Sequence, residues 1–128
     1  MRLLLDTHIA LWAITDDPLL PSEVRSLILE SRNTVYISAA NIWEIAIKHA
    51  LKRSSMPISA AEAVQFFKRA GYLFLDITPE HAMRVEALPP FHQDPFDRML
   101  VAQALSEPLV LVTQDRKVGR YGAPTLLF

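Results

Sequence analysis

Short apolar runs recur along the chain, and polar residues or prolines separate them. The first run, Leu3-Leu4-Leu5, is apolar at every position, which is typical of a strand buried on both faces in a parallel sheet. The second is rich in β-branched and aromatic residues, as strands usually are. The pattern predicts strands over residues 2–5, 34–37, 72–77 and 109–113, and a short fifth strand over residues 125–128.

Helix signals fill the segments between these runs. Ser38 is a good N-cap, and Ser59 and Glu62 have the spacing of a capping box. Asp94-Pro95 marks another helix start, because proline is favoured at the first helical position. Together these signals predict helices over residues 7–14, 21–31, 39–51, 60–70, 79–88 and 95–106.

The alternation of strands with helices predicts an α/β fold. We expect a mostly parallel central sheet of four to five strands, flanked by helices. The 128 residues fit one domain, and no internal repeat, low-complexity stretch or linker divides them. The sequence therefore predicts a single domain over residues 1–128.

Composition excludes several classes of function. The absence of cysteine removes disulfides, thiolate zinc sites and a cysteine nucleophile. A net charge of −1 argues against a purely electrostatic nucleic-acid binder, although it is compatible with a local basic patch. Asp6 ends the first apolar run too early for a signal peptide, and no segment approaches the roughly 20 apolar residues of a membrane span. We expect a soluble, cytoplasmic protein without a membrane partner.

Four acidic residues stand at the edges of the apolar segments. Asp6 and Asp115 follow predicted strands, whereas Glu44 and Asp97 lie in the early turns of predicted helices. Ligands of open parallel sheets bind beyond the carboxyl ends of the strands, so we expect these acids to meet there. Carboxylates that lie close together repel one another, and a hard divalent cation with oxygen ligands is the usual remedy. The positions therefore indicate a metal site.

The acids also have purely structural interpretations, of which the one for Asp6 is the weakest, because an acid directly after a buried strand needs a partner. Asp94 before Pro95 is most simply an N-cap, and Asp97 would favour the helix dipole. Asp115 would suit a turn. Glu44 would suit a surface position, but its apolar neighbours argue against it. Taken together, the acids favour a shared site.

Four segments follow one another in a characteristic order. They are LLDTH at 4–8, SAANIWEIAIK at 38–48, HQDPFDRMLVAQA at 92–104 and LVTQD at 111–115. Together they resemble the PIN-domain nucleases, and more narrowly the VapC-type toxins of bacterial and archaeal toxin–antitoxin pairs. The resemblance covers almost the whole chain, and the third segment is its most specific part.

This resemblance implies a parallel sheet between layers of helices, with the acids in one groove. Asp6, Glu44 and Asp97 match the principal metal-binding acids of the family. Asp115 matches its more variable fourth acid, and Thr113 matches a small polar position beside it. The implied chemistry is hydrolysis of RNA phosphodiesters with carboxylate-bound Mg²⁺ or Mn²⁺, which leaves a 5′-phosphate and a 3′-hydroxyl.

The resemblance also implies partners for the chain. These are an RNA substrate, a small cognate antitoxin whose tail would occlude the groove, and a second copy in a homodimer. His8, His92 and Asp94 belong to the matched segments. His8 is a candidate for the groove, whereas we expect His92 and Asp94 to fix the loop ahead of the helix.

Basic residues near these segments are candidates for holding RNA, because the acids would otherwise repel it. For each of them the alternative is an ordinary solvated charge, and Arg98 could instead pair with a neighbouring acid. Trp43 could stack on a base, although we favour a place in the core, and we expect Trp12 in the core or on a dimer surface. The polar candidates are Lys48, His49, Lys52, Arg53, Arg98, Thr113, Arg116, Lys117 and Arg120.

Other functions remain open at this point. Asp6 could form an aspartyl phosphate, but haloacid-dehalogenase-like phosphatases need a second acid two residues later, where this chain has His8. A zinc hydrolase that used His8 and His92 would have spacings that match no standard zinc motif. The alternative from another class is a non-catalytic RNA- or protein-binding module on the same fold.

Overall fold

The central sheet consists of five parallel strands in the order β3-β2-β1-β4-β5. This architecture comes from a computed structural model that describes residues 1–128. The predicted α/β fold with a parallel central sheet is confirmed, and the sheet has the larger of the two expected strand numbers. The strands are β1 (Arg2–Leu5), β2 (Thr34–Ser38), β3 (Leu73–Leu75), β4 (Val110–Thr113) and β5 (Thr125–Leu127).

Seven helices flank the sheet, and two of them, α1 and α6, occupy the residues that the sequence predicts. The shortest, α7, was not predicted. None of the seven has the length and apolar character that crossing a membrane requires. The helices are α1 (Thr7–Ile14), α2 (Ser22–Leu29), α3 (Ala39–Ala50), α4 (Ala60–Arg69), α5 (Pro79–Ala87), α6 (Pro95–Ser106) and α7 (Arg116–Gly119).

The central strand β1 is buried on both faces, as its unbroken apolar run predicts. Leu3 and Leu5 pack with residues of α1, α2, α3 and α4 on one face of the sheet. Leu4 packs with residues of α6 on the other face. Full burial of one leucine side chain contributes roughly 1.5–3 kcal/mol, so β1 holds both helical layers on the sheet.

The strand order places a topological switch point at β1. The chain continues from β1 to β2 on one side, whereas β4 lies on the other side. Such a switch point opens a crevice beyond the carboxyl ends of the strands. The backbone N–H of Asp6 donates to the carbonyl of Val112 across 3.0 Å, so the residues that follow β1 and β4 lie side by side at this crevice.

Candidate metal centre

A cleft of about 450 Å³ lies at the carboxyl edge of the sheet and collects acids from four separate segments. The four predicted acids all line it, and Asp94 is a fifth. The cleft therefore brings together residues that are spread over most of the sequence. The lining residues are Asp6, Thr7, His8, Ile9, Trp12, Glu44, Lys48, His92, Asp94, Asp97, Gln114 and Asp115.

Asp6 is held at the end of β1 by two hydrogen bonds. One carboxylate oxygen caps α1 by accepting from the backbone N–H of Ile9 across 3.0 Å. The other accepts from the hydroxyl of Thr113 across 2.6 Å. Burial raises the pKa of Asp6 above its usual value despite these two donors. The fold thus holds in the cleft a carboxyl group whose ionised form is disfavoured by burial.

Glu44 projects from α3 into the cleft, and only 5% of the residue is exposed. Its Oε1 accepts from the Thr7 hydroxyl across 2.6 Å, and its Oε2 accepts from the ammonium group of Lys48. Asn41 Nδ2 donates to Thr7 Oγ1 across 3.0 Å and to the carbonyl of Leu5 across 3.2 Å. This buried chain of polar groups fixes Glu44 against the end of β1.

The roles of Asn41 and Thr7 were missed by the sequence reasoning. Both residues lie inside predicted apolar segments and both are buried. A buried polar side chain needs a hydrogen-bonding partner. Their polar side chains within apolar segments, next to predicted site acids, are therefore the sequence feature that could have indicated these roles.

Asp97 occupies the first turn of α6, and Asp94 is the N-cap of that helix. The Asp94 carboxylate accepts from the backbone N–H groups of Phe96 and Asp97 across 2.8 and 3.1 Å. Burial raises the pKa of Asp97 to about 7, and the like charge of Asp94 adds to the shift. Asp97 is thus a carboxyl group for which ionisation is unfavourable without a nearby cation.

His92 lies between two of the acids, which corrects our expectation that it only fixes the loop before α6. Its Nε2 is 2.7 Å from Asp115 Oδ2 and 3.1 Å from Asp97 Oδ2. Its Nδ1 accepts from the backbone N–H of Asp94 across 3.1 Å. Because Nδ1 is an acceptor, the ring proton is on Nε2, which donates to the carboxylates.

Asp115 caps α7 by accepting from the backbone N–H of Lys117 across 2.9 Å. Burial acts to raise the pKa of Asp115, but the hydrogen bonds from His92 and Lys117 outweigh it. The pKa of Asp115 therefore lies below its usual value. Asp115 is therefore ionised at neutral pH, whereas burial raises the pKa of Asp6 and of Asp97.

The donor chemistry of the cleft fits a hard divalent cation. Carboxylate oxygens dominate the lining, and such oxygens are the ligands that Mg²⁺ and Mn²⁺ prefer. The candidate ligand atoms of His92, Asp97 and Asp115 all lie within 4.8 Å of one another. Since Nε2 of His92 carries a proton, the carboxylates are the better ligands in this arrangement.

The predicted basic residues have different surroundings. Lys48 lines the cleft, whereas Arg116 and Lys117 are exposed on α7 beside Asp115. The Arg98 guanidinium does not line the cleft. It donates to the carbonyls of Val85, Leu88, Pro89 and His92 and to the hydroxyl of Tyr121. Arg98 thus joins α5, α6 and the loop between them, which corrects its assignment as an RNA contact.

Trp43 differs from expectation, whereas Trp12 packs against the core with its side chain partly buried, as expected. Trp43 is 54% exposed and packs edge-on against Phe96 with the ring centroids 4.9 Å apart, so it is not a core residue. Trp12 lines the acidic cleft together with His8, whose ring centroid lies 6.0 Å away. Both indole rings therefore border surfaces that are open to a ligand.

The chain is similar to known proteins in both sequence and fold. Residues 3–124 match the PIN domain family. Ribonuclease VapC22 from Mycobacterium tuberculosis is 30% identical over 123 residues, which is 94% of this chain and 92% of that protein. VapBC2 from Rickettsia felis, bound to a promoter DNA fragment, has a TM-score of 0.71 at 19% identity, covering 98% of this chain and 97% of that one.

A second solved structure has the same fold. DNA-bound VapBC from Salmonella typhimurium has a TM-score of 0.69 at 20% identity, covering 98% of this chain and 96% of that one. The two solved structures establish similarity of fold, whereas the family match and the 30% identical relative extend it to the sequence. With its five-stranded parallel sheet and its acidic cleft, the chain belongs to the PIN domain family.

Proposed function

We propose that the protein is a metal-dependent endoribonuclease, and that residues 1–128 form one nuclease domain. The observation that carries this proposal is the single cleft that Asp6, Glu44, Asp97 and Asp115 share. Membership of the PIN domain family and the relative named as a ribonuclease support the same activity. RNA is the substrate in this proposal.

In this proposal the four acids would hold Mg²⁺ or Mn²⁺. When bound, such a cation lowers the pKa of a water molecule and stabilises the negative charge that develops around phosphorus. The products would carry a 5′-phosphate and a 3′-hydroxyl, and no side chain need act as a nucleophile. Other residues orient the acids. Thr113 orients Asp6, Thr7 orients Glu44, and Asp94 holds the helix turn that presents Asp97.

The RNA would approach over basic residues at the border of the acidic cleft. A polyanion needs cationic contacts, and acids dominate the lining of the cleft. Lys48 inside the cleft and Arg116 and Lys117 on α7 are the contacts we propose. Thr113 is fully buried, so it supports Asp6 instead of touching RNA.

We further propose that the protein is the toxin of a cytoplasmic toxin–antitoxin pair. The relative from Mycobacterium tuberculosis is a VapC protein, and two of the solved structures with the same fold are VapBC assemblies. By this analogy the partners are a small antitoxin that occludes the cleft and a second copy of the chain. Growth arrest on expression, relieved by Asp6→Asn or by co-expression of a candidate antitoxin, would support the toxin role.

A cleavage assay on structured RNA tests the nuclease. The parent protein should cut RNA with Mg²⁺ or Mn²⁺ and stop when a chelator is added. Asp6→Asn keeps the shape of the side chain but removes its charge. We expect it to lower the rate by about 100-fold or more, since even outer-shell partners cost roughly 10–100-fold.

The matched control is Asp76→Asn, which makes the same chemical change at an exposed acid outside the cleft. It should cleave RNA as fast as the parent. Equal activity of the Asp6→Asn variant and the parent would refute the assignment. Binding of RNA without cleavage in the presence of either cation would instead identify a non-catalytic binding module.

A further inference from the structure

We propose that Lys48 is a displaceable internal counter-ion. In the metal-free protein its ammonium group neutralises Glu44, and the binding of a divalent cation releases it to bind an RNA phosphate at the mouth of the cleft. This inference rests on the proposed function and adds to it a coupling between the cation and the RNA. Three features of the structure carry it.

The first feature is the charge balance of the cleft. Lys48 is the only lysine or arginine among the lining residues. Five acids share this lining, and Lys48 pairs with one of them, Glu44. In the absence of a metal, Glu44 is therefore the one acid of the cleft that is paired with a lysine or arginine.

The second feature is the way in which the oxygens of Glu44 are used. Thr7 donates to Oε1 across 2.6 Å and is itself fixed by Asn41. Lys48 donates to Oε2 from the next turn of α3. A cation that binds Glu44 through Oε2 must therefore take the place of the Lys48 ammonium group.

The third feature is the freedom of Lys48 to leave. The side chain is 24% exposed, whereas that of Glu44 is 6% exposed. Glu44 is its one hydrogen-bonding partner, so release breaks a single ion pair. Lysine carries its charge on a flexible four-carbon stem and binds phosphate as a point charge. The released ammonium group can thus swing from the wall of the cleft to its mouth without movement of α3.

If the cation displaces Lys48, removal of Lys48 should change the affinities for the cation and for RNA in opposite directions. Removal of Lys48 takes away the competitor for Glu44, so the cation should bind more tightly. The same change takes away a phosphate contact, so RNA should bind more weakly. We expect the Kd for Mn²⁺ to fall about fivefold to tenfold in Lys48→Met, and the KM for RNA to rise by a similar factor, as the loss of one ion pair predicts.

Calorimetry with Mn²⁺ alone tests the expected increase in cation affinity without any measurement of activity. The titrations compare the parent with Lys48→Met and Lys48→Gln, so that one poorly folded variant does not decide the outcome. Lys68→Met is the matched control, because Lys68 is exposed on α4 and lies beside the apolar groove around Trp43. Its Kd should equal that of the parent. Unchanged or weaker Mn²⁺ binding in both Lys48 variants would overturn the proposal.

Nuclear magnetic resonance of the lysine side chains tests displacement in the parent itself. The Lys48 ammonium signal, assigned by its loss in Lys48→Gln, should be visible in the metal-free protein because the ion pair slows proton exchange. It should shift or vanish on saturation with Mg²⁺. A signal that is absent without Mg²⁺, or unchanged with it, would contradict the proposal.

The two proposals can fail separately. If the parent binds no divalent cation, both the nuclease assignment and the role of Lys48 are wrong. If the parent binds Mn²⁺ and cleaves RNA while the Lys48 variants bind Mn²⁺ no more tightly, only the role of Lys48 is wrong.

Discussion

Thr113 donates a hydrogen bond from Oγ1 to Oδ2 of Asp6 across 2.6 Å, although 107 positions of sequence separate the two residues. The contact forms because β1 and β4 are neighbours in the sheet, with Leu5 paired to Val112. The same hydroxyl oxygen accepts from the backbone N–H of Asp115 across 3.0 Å. One buried threonine thus fixes two of the candidate metal ligands relative to each other.

Replacement of Thr113 by valine keeps the shape of the side chain and removes the hydroxyl group. We expect Thr113→Val to lower the free energy of unfolding by about 1–3 kcal/mol, because it leaves Oδ2 of the buried Asp6 carboxylate without a donor and the backbone N–H of Asp115 without an acceptor. Divalent cations should also bind more weakly, since Asp6 loses its orientation. Urea denaturation and calorimetry measure the two effects, and Thr113→Ser should restore most of both. A Thr113→Val variant as stable as the parent would show that the contact contributes nothing.

Asp97 should make the metal-free protein less stable as the pH rises. Burial raises its pKa in the folded protein to about 7 from 3.8. Between these values the unfolded chain releases a proton that the folded chain retains, so this group's contribution to stability is lost as the pH rises through that window. Asp97→Asn removes the dependence. The advantage of the variant over the parent should grow from pH 4 to pH 7 to on the order of 3 kcal/mol.

Urea denaturation at a series of pH values in the presence of a chelator measures this difference. The comparison uses the difference between variant and parent, so that titrating groups which do not interact with Asp97 cancel. Asp76→Asn serves as the control, since Asp76 is exposed, and its difference from the parent should stay flat. A flat curve for Asp97→Asn as well would show that Asp97 titrates normally.

Much of the fold could be predicted because its signals are local. Helices α1 and α6 occupy the expected residues, and an acidic N-cap precedes each of them. The prediction was less accurate where contacts with neighbouring elements decide at which residue a strand or helix ends. The strand predicted over residues 72–77 is only Leu73–Leu75, because β3 is an edge strand that pairs with β2 at three positions. Helix α7 has four residues, too few to show any apolar periodicity.

The grouping of the candidate site could also be predicted, but its internal contacts could not. Acids at strand ends and helix starts indicated a common cleft, and the structure places all four in one. Local patterns show which face a residue occupies and give no information about a partner far along the chain. For this reason the insertion of His92 between Asp97 and Asp115 and the exposure of Trp43 emerged only from the tertiary structure.

Arg98 should support the site without touching RNA. Lysine at this position keeps the charge but cannot reproduce the planar fork that contacts four carbonyls and one hydroxyl group. We expect Arg98→Lys to lower the free energy of unfolding by about 2 kcal/mol and to reduce kcat, because the loop that carries His92 and Asp94 loses its anchor. The KM for RNA should stay unchanged.

Steady-state cleavage and urea denaturation separate the two interpretations of Arg98. Arg84→Lys is the control, because Arg84 is exposed and lies outside the cleft, and substitutions at such positions usually change stability by less than about 0.5 kcal/mol. If Arg98→Lys raised the KM for RNA and left stability unchanged, Arg98 would be an RNA contact after all.

A divalent cation should stabilise the folded protein, because it offsets the repulsion among the acids of the cleft. A ligand that binds only the folded state adds about 2.7 kcal/mol at 100 times its Kd, which corresponds to an increase in Tm of about 5 °C or more for a chain of this size. Thermal denaturation with Mn²⁺, with Mg²⁺ and with a chelator measures the shift at one pH. Asp97→Asn should abolish most of it, whereas Asp76→Asn should retain it. Equal shifts in the two variants would mean that the cation binds outside the cleft.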